Sequence, residues 1–352
     1  MLLRLFEGLF ATIEINKLVL PIDKIMKHIS ILIPKGQYSI VNIAGTFQML
    51  NWANNMYSSQ TRKKLFEVEF VGHSMPSLDT EGFYTVMPTK TIDQIEKTDL
   101  IIVPAVHEEH KRAIEMNQEA IKWLKQQYMQ GAEISAYCIG VFLLAGTGLL
   151  DGKTCSTHWG EANQLQEMFP QVQVRSEKII TACDGLYTSG GAYAFTNLVI
   201  YLIEKYGGRE LAIMTAKAFM IDVDKNDQSL FTMFVGQKQH KDKIVLEVQE
   251  LIEANYKENI AVDQLAEMKA TNRRTLERRF RSATGNSVNQ YLQRVRVESA
   301  KKLLEKKDSN ITETMFSVGY NDTKAFREMF KRHVGISPME YKKKFLRAVS
   351  LA

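Results

Sequence analysis

Hydrophobic and polar positions follow two different rhythms along this chain, and the change falls near residue 223. Before it, short apolar runs are separated by helix-length segments. Residues 29–33 and Leu100–Val103 read as buried strands, residues 66–71 alternate like a strand, and Glu133–Tyr137 is another short strand. Residues 44–56, 117–130 and 194–206 have helical spacing, and Val141–Gly146 starts a further helix. Gly131 and Gly207-Gly208 are natural helix stops. Strands alternating with helices imply a mostly parallel sheet covered on both faces. Residues 223–240 then turn polar and read as a linker. Beyond them every signal is helical: 242–256, 262–269, 273–282, Val288–Leu304, 311–318 and 322–333.

The helical part repeats itself. Leu276, Phe280, Gly285, Ser287 and Tyr291 return fifty residues later as Phe326, Phe330, Gly335, Ser337 and Tyr341. The apolar pairs put one stripe of each helix against a core. Gly285 and Gly335 follow helix ends, where a left-handed residue favours glycine. Ser287 with Gln290 and Ser337 with Glu340 have capping-box spacing, and Pro338 is a favoured first-turn proline. In each copy a short helix and a turn precede the repeated helix, with Asn272 and Asn321 as the expected N-caps. Helix, turn, capped helix is the helix-turn-helix plan, whose second helix enters a major groove.

Charge sharpens this reading. The whole chain carries +5, which names no partner. Residues 1–240 hold 22 Lys+Arg and 25 Asp+Glu, or −3; residues 241–352 hold 23 and 15, or +8. A basic excess confined to one part suits a polyanion, and a solvated charge face looks similar. Arg273, Arg274, Arg278, Arg279 and Arg281 crowd one helix, and Arg274, Arg278 and Arg281 share a face. The second copy offers Thr323, Lys324, Arg327 and Lys331. Arginine reads guanine edges, while Lys and Thr contact phosphates or bases.

Residues 241–345 resemble the DNA-binding domain of AraC-type transcription regulators. The resemblance rests on 274–280, Thr284-Gly285, 291–296, Val318-Gly319-Tyr320, 326–331 and 334–341. It implies two helix-turn-helix units joined by Val288–Leu304, whose seventeen residues span about 25 Å at ~1.5 Å each. It also implies base readers at Arg274, Glu277 and Arg278 in the first unit. Thr323, Lys324, Arg327 and Glu328 are their counterparts in the second, with Arg273, Arg281 and Lys331 beside them on the DNA-binding helices. Thr314-Met315-Phe316 departs from the family's Ile-Ala pair, so bulkier packing is expected in that helix crossing.

In the first part, the strand Glu133–Tyr137 runs straight into Cys138-Ile139-Gly140 and a helix. A thiol at such an elbow lies near a helix N-terminus, which lowers its pKa. A buried cysteine there is otherwise inert core. Residues 137–145, 148–152, Thr157-His158-Trp159 and 188–191 resemble the PfpI-type, class I glutamine-amidotransferase-like superfamily, in its branch fused to AraC-type domains. The resemblance matches Cys138 to the elbow cysteine, His158 to the histidine and Asn42 to the catalytic acid. An amide there takes no proton. A ligand-binding sensor is therefore expected, with Asn42, Cys138, Ile139, His158 and Gly190 lining its pocket and no catalytic residue. An enzyme using Cys138 as nucleophile (hydratase, amidase or deglycase-like) is the alternative. Asp23 and Glu81 are candidate replacement acids.

The expected architecture is α/β, a flavodoxin-like mostly parallel sheet sandwiched by helices, then an all-α domain with two helix-turn-helix units. Residues 1–26 read as an extension or a mis-assigned start, 27–222 as the sensor, 223–240 as linker and 241–352 as the DNA-binding domain. The resemblance implies operator DNA, a small-molecule effector, RNA polymerase and a second copy as partners. Three cysteines suit a reducing, cytoplasmic setting. No run is long enough to span a membrane. His107 and His110 lie three apart, a spacing unlike that of zinc-protease motifs, so a solvated loop or helix start is expected without metal. No cofactor is implied, and a nonspecific basic DNA-binding protein is a further rival.

Overall fold

A computed structural model describes residues 25–74, 86–223 and 227–346. It divides into two compact units, 1–228 and 229–352. Residues 1–24 of the expected N-terminal extension, which include Asp23, and Glu81 fall outside the described residues.

The first unit follows the order β1 (Lys27–Ile33), α1 (Ile40–Thr61), β2 (Phe66–Gly72), β3 (Lys90–Thr91), β4 (Leu100–Val103), α2 (His110–Met116), α3 (Gln118–Met129), β5 (Glu133–Tyr137) and α4 (Val141–Gly146). It continues with β6 (Thr154–Cys155), α5 (Ala162–Met168), β7 (Gln173–Val174), β8 (Ile180–Cys183), β9 (Leu186–Ser189), α6 (Phe195–Gly207) and α7 (Arg209–Ala218). The seven-stranded sheet has the order β3-β2-β1-β4-β5-β9-β8. Its pairs are parallel except β8 with β9. Ile29, Ile31, Leu32 and all four residues of β4 are buried, as expected of strands covered on both faces. Core residues of α1, α6 and α7 pack on one face; those of α3 and α4 pack on the other. This is the flavodoxin-like arrangement.

Strand order reverses between β1 and β4: from β1 the chain runs to β2 and β3 on one side, then returns to β4, β5 and β9 on the other. Open α/β sheets bind ligands at such a switch point, beyond the carboxyl ends of the strands.

The second unit contains α8 (Lys243–Asn255), α9 (Val262–Met268), α10 (Arg273–Thr284), α11 (Val288–Leu304), α12 (Ile311–Ser317), α13 (Thr323–Val334) and α14 (Pro338–Phe345). Two apolar cores serve its two halves. Leu276, Phe280 and Tyr291 belong to the first, and Phe326, Phe330 and Tyr341 to the second. Gly285 and Gly335 close α10 and α13 at φ +69° and +85°. Both capping boxes form, Ser287 with Gln290 and Ser337 with Glu340.

Several expectations are corrected. The N-cap of α13 is Asp322, whose side chain accepts from the Ala325 N–H at 2.6 Å, and not Asn321. The turn before α13 is one residue longer than the turn before α10, which moves the cap along by one. Gly319 opens that turn at φ +81°, and a Cβ there would stand 2.3 Å from the Lys257 carbonyl oxygen. Phe316 is 56% exposed and stays out of the helix crossing, where Thr314 and Met315 are buried instead. The polar run 223–240 also holds packed residues. Gln228 is 4% exposed, Leu230 packs on the second core, and Phe234 packs on the first.

Candidate functional site

The loops beyond the carboxyl ends of β1, β4, β5 and β9 gather at the switch point. The N–H of Ser39 donates to the Ala105 carbonyl at 2.9 Å, and that of His107 donates to the Gln37 carbonyl at 2.6 Å. Ser39 caps α1 through its hydroxyl, which places Asn42 in the first turn. Asn42 is 2% exposed. Its Oδ1 accepts from the Ala105 N–H at 3.1 Å and its Nδ2 donates to the Ala192 carbonyl at 3.5 Å. One amide thus clamps the loop after β4 to the loop after β9. A carboxylate at the same place would accept from Ala105 and have no proton for Ala192.

Cys138 sits at the sharp turn after β5 with φ +53°, an uncommon conformation for a side chain-bearing residue. Gly140 lets the turn close, since a Cβ on it would lie 2.3 Å from the Pro104 carbonyl oxygen. The Thr157 hydroxyl donates to the Cys138 carbonyl at 2.9 Å. The expectation of a lowered thiol pKa is overturned. Burial pushes the Cys138 thiol up to about 11; a hydrogen bond with the Ile139 backbone opposes this, and the charge of Glu161 adds to it. Ile139 is partly buried against the core below.

His158 accepts from the Gly160 N–H through Nδ1 at 3.1 Å and tilts against Trp159. Burial lowers its pKa, with the charge of Glu161 opposing, which favours the neutral ring, and the acceptor role of Nδ1 leaves Nε2 to carry that ring's proton. Among the described residues no hydrogen bond joins it to Cys138. A Cβ on Gly191 would stand 3.7 Å from His158 Cδ2, which puts the Gly190-Gly191 loop beside the ring. His110, expected in a solvated loop or helix start, opens α2 but is buried. Its Nε2 pairs with Glu161 at 2.9 Å and its ring stacks on Phe142 at 3.7 Å. No group of three or more metal-ligating side chains gathers among the described residues.

The second unit presents a different surface. Asn272 caps α10 by accepting from the Thr275 N–H at 2.8 Å. Leu276 and Phe280 are fully buried, so the helix turns Arg274, Arg278 and Arg281 outward. Among the described residues no carboxylate pairs with these three. Arg279 is held by both oxygens of Asp242, at 2.8 and 2.7 Å, and Arg273 pairs with Asp263 at 3.0 Å. Glu277 is half-buried and accepts from the Val288 N–H at 3.4 Å. On α13, Thr323, Lys324, Arg327, Glu328 and Lys331 are all exposed. A cleft of about 590 Å³ lies beside them, its polar rim including Thr312, Thr323, Arg327, Lys342 and Lys343. Among the described residues no acidic side chain lines it.

Residues 51–205 match the DJ-1/PfpI family, and residues 265–344 match a helix-turn-helix domain. The chain joins a DJ-1/PfpI domain to a helix-turn-helix domain. Among curated relatives, the HTH-type transcriptional regulator GbdR of Pseudomonas aeruginosa is 31% identical over 229 residues. That match covers 64% of this chain and 61% of GbdR, so the chain spans less than two thirds of that relative's length. The HTH-type transcriptional regulator CdhR of the same species is 24% identical over 306 residues, covering 86% of this chain and 88% of that protein. A solved protein of Vibrio parahaemolyticus has a similar fold, with a TM-score of 0.50 and 20% identity over 56% of this chain and 100% of its own.

Two residues of the DJ-1/PfpI domain escape a reading of motifs. Glu161 follows His158 by three and is the carboxylate whose charge reaches both Cys138 and His158. Gln228 lies in a polar run and carries no motif, yet it is bonded to Gly191 and Thr157, which flank His158 in the crevice expected at the switch point. The helix-turn-helix domain hides less, because its basic residues stand at helical spacing. No helix among the described residues is long and apolar enough to cross a membrane.

Proposed function

We propose that this chain is a transcription regulator. Its helix-turn-helix domain binds an operator in double-stranded DNA, and its DJ-1/PfpI domain senses a small molecule without transforming it. The face formed by Arg274, Arg278 and Arg281 carries the reading. Three guanidinium groups stand exposed at i, i+4 and i+7 on a rigidly capped helix, with no carboxylate pairing them among the described residues. The five N–H donors of each guanidinium form a fork, two of which can grip guanine O6 and N7 together. Arg273 and Glu277 flank that face; Thr323, Lys324, Arg327, Glu328 and Lys331 act in the second groove. The regulator names of GbdR and CdhR support the same reading. A homodimer formed through the DJ-1/PfpI domain and contact with RNA polymerase complete it.

The sensing role rests on the crevice. Asn42 spends both ends of its amide on backbone and has no acid to offer Cys138. A thiol pushed up to about 11 is only about one part in 10⁴ thiolate at pH 7. Asn42, Cys138, Ile139, His158 and Gly190 then border a binding site without a nucleophile in its reactive form.

Selection of bound duplexes from a random library by the full chain tests the reading. We expect a recovered consensus bound roughly 10³-fold or more tightly than unrelated duplex. Equal retention of all duplexes overturns it in favour of nonspecific basic binding.

A further inference from the structure

The crevice and the helix-turn-helix domain are neighbours in sequence at one residue. Gln228 is 4% exposed and bonded at both ends of its side chain. Its Oε1 accepts from the Gly191 N–H at 2.9 Å. Its Nε2 donates to the carbonyls of Thr157 at 3.0 Å, Ser176 at 2.7 Å and Lys178 at 3.2 Å. Two of these partners are crevice walls. Thr157 precedes His158 and holds the Cys138 carbonyl, while Gly191 belongs to the loop beside the His158 ring. The fit leaves no spare room: a Cβ on Gly190 would lie 2.4–2.5 Å from the atoms of the Gln228 amide.

The next residue, Ser229, begins the second unit, and the segment it opens is fastened to both halves of that unit. Leu230 packs into the second core. The Thr232 carbonyl accepts from Lys301, and the Phe234 N–H donates to Glu298 at 3.1 Å; both partners are on α11. The Phe234 ring meets Tyr291 edge-on at 5.1 Å in the first core. The Gln237 carbonyl accepts from Gln249 on α8 at 3.1 Å. Within ten residues the chain therefore passes from the crevice wall to the helices that support both DNA-facing helices.

We propose that Gln228 is the positioning residue through which the state of the crevice reaches the helix-turn-helix domain. This rests on the sensing and DNA-binding reading above. A buried amide that shares partners on two walls loses several bonds together when one wall moves. A ligand that moves the Gly190-Gly191 loop or the Thr157-His158 turn removes partners from the amide and favours withdrawal. One peptide bond passes the displacement to Ser229. An element whose equilibrium is biased by both sites is what coupling between them requires.

The test needs no effector. Gly190→Ala puts a methyl group where the amide lies, and Gln228→Glu keeps the shape while losing the donor. Full-length protein carrying each change, and both together, is compared by hydrogen exchange over residues 229–237 and by affinity for the selected operator. Both single variants are expected to exchange faster there and to shift operator affinity in the same direction by about 5-fold or more. The double variant is expected to go no further than the larger single one. Additive effects, or unchanged exchange in both singles, overturn the proposal. Should Gly190→Ala prove unfolded by thermal melting, Gln228→Glu alone decides by the same exchange readout. A wild-type chain that prefers no duplex defeats the DNA-binding reading instead, and exchange still judges the coupling.

Discussion

The two halves of the helix-turn-helix domain share a skeleton and differ in their chemistry. Buried positions recur: Leu276 and Phe280 in the first half answer Phe326 and Phe330 in the second, each with a tyrosine, a left-handed glycine and a capping serine. Several other positions differ. Glu277, which braces the start of α11, stands fifty residues before Arg327, which has no bracing partner among the described residues. Leu292 and Gln293 of α11 correspond to Lys342 and Lys343 of α14. The difference follows from what each following helix must do. α11 has to pack on both cores, so it spends position 292 on burial. α14 packs on one core and leaves its last turn basic. What folds the repeat is retained, and what meets a partner varies. The first half ties two of its five arginines into ion pairs; in the second, Arg327, Lys342 and Lys343 line a cleft with no carboxylate partner among the described residues.

That contrast can be broken at three points. Arg278→Ala is the largest. It is expected to lower discrimination at one base position by about 1–3 kcal/mol, read from affinities for a set of single-base operator variants. A loss equal on every duplex would remove Arg278 from the base readers. Asp242 comes next, because it both caps α8 and grips Arg279. Asp242→Ala is expected to cost the full chain about 0.5–2 kcal/mol in urea unfolding. Its pH dependence has a definite sign. The Arg279 guanidinium holds the Asp242 carboxyl below its ordinary value, with burial opposing. The contribution is complete above about pH 4, the unfolded carboxyl's range, and is lost as pH falls through the lower folded value. Wild-type and variant stabilities should therefore converge in acid; a gap that widens there contradicts the ion pair. The smallest effect belongs to Lys343→Gln. It is expected to weaken binding evenly across sequences and reduce the salt slope by about one. A change confined to the preferred sequence would make Lys343 a base reader.

The helical half was nearly legible from its sequence, because its signals are local. Caps, glycine stops and i,i+4 apolar pairs act within one or two turns, and α11 has the bounds expected of it. Asn321 misled because one extra turn residue moves the cap to Asp322, and a single inserted residue leaves no compositional mark. In the α/β half, Leu100–Val103 and Glu133–Tyr137 were legible as buried runs. β6 to β9 were not, since strands of two to four residues have no measurable period. The start of α1 was missed although Ser39 is a sound N-cap, because the apolar spacing begins later. In the crevice, the elbow at Cys138 was legible and its pKa was not. Local geometry favours a thiolate, whereas burial, a property of the finished fold, opposes one and prevails. Gln228 and Glu161 gain their meaning from partners 37 to 71 and 51 residues away, a distance no motif spans.

The Asn42 clamp depends on the two unlike ends of an amide. Asn42→Asp would set a second oxygen against the Ala192 carbonyl at the distance where Nδ2 now donates. The exchange would remove one of the bonds that tie these loops together. A carboxylate at position 42 is therefore expected to loosen the link between the loop after β4 and the loop after β9, because only an amide presents an acceptor to one and a donor to the other.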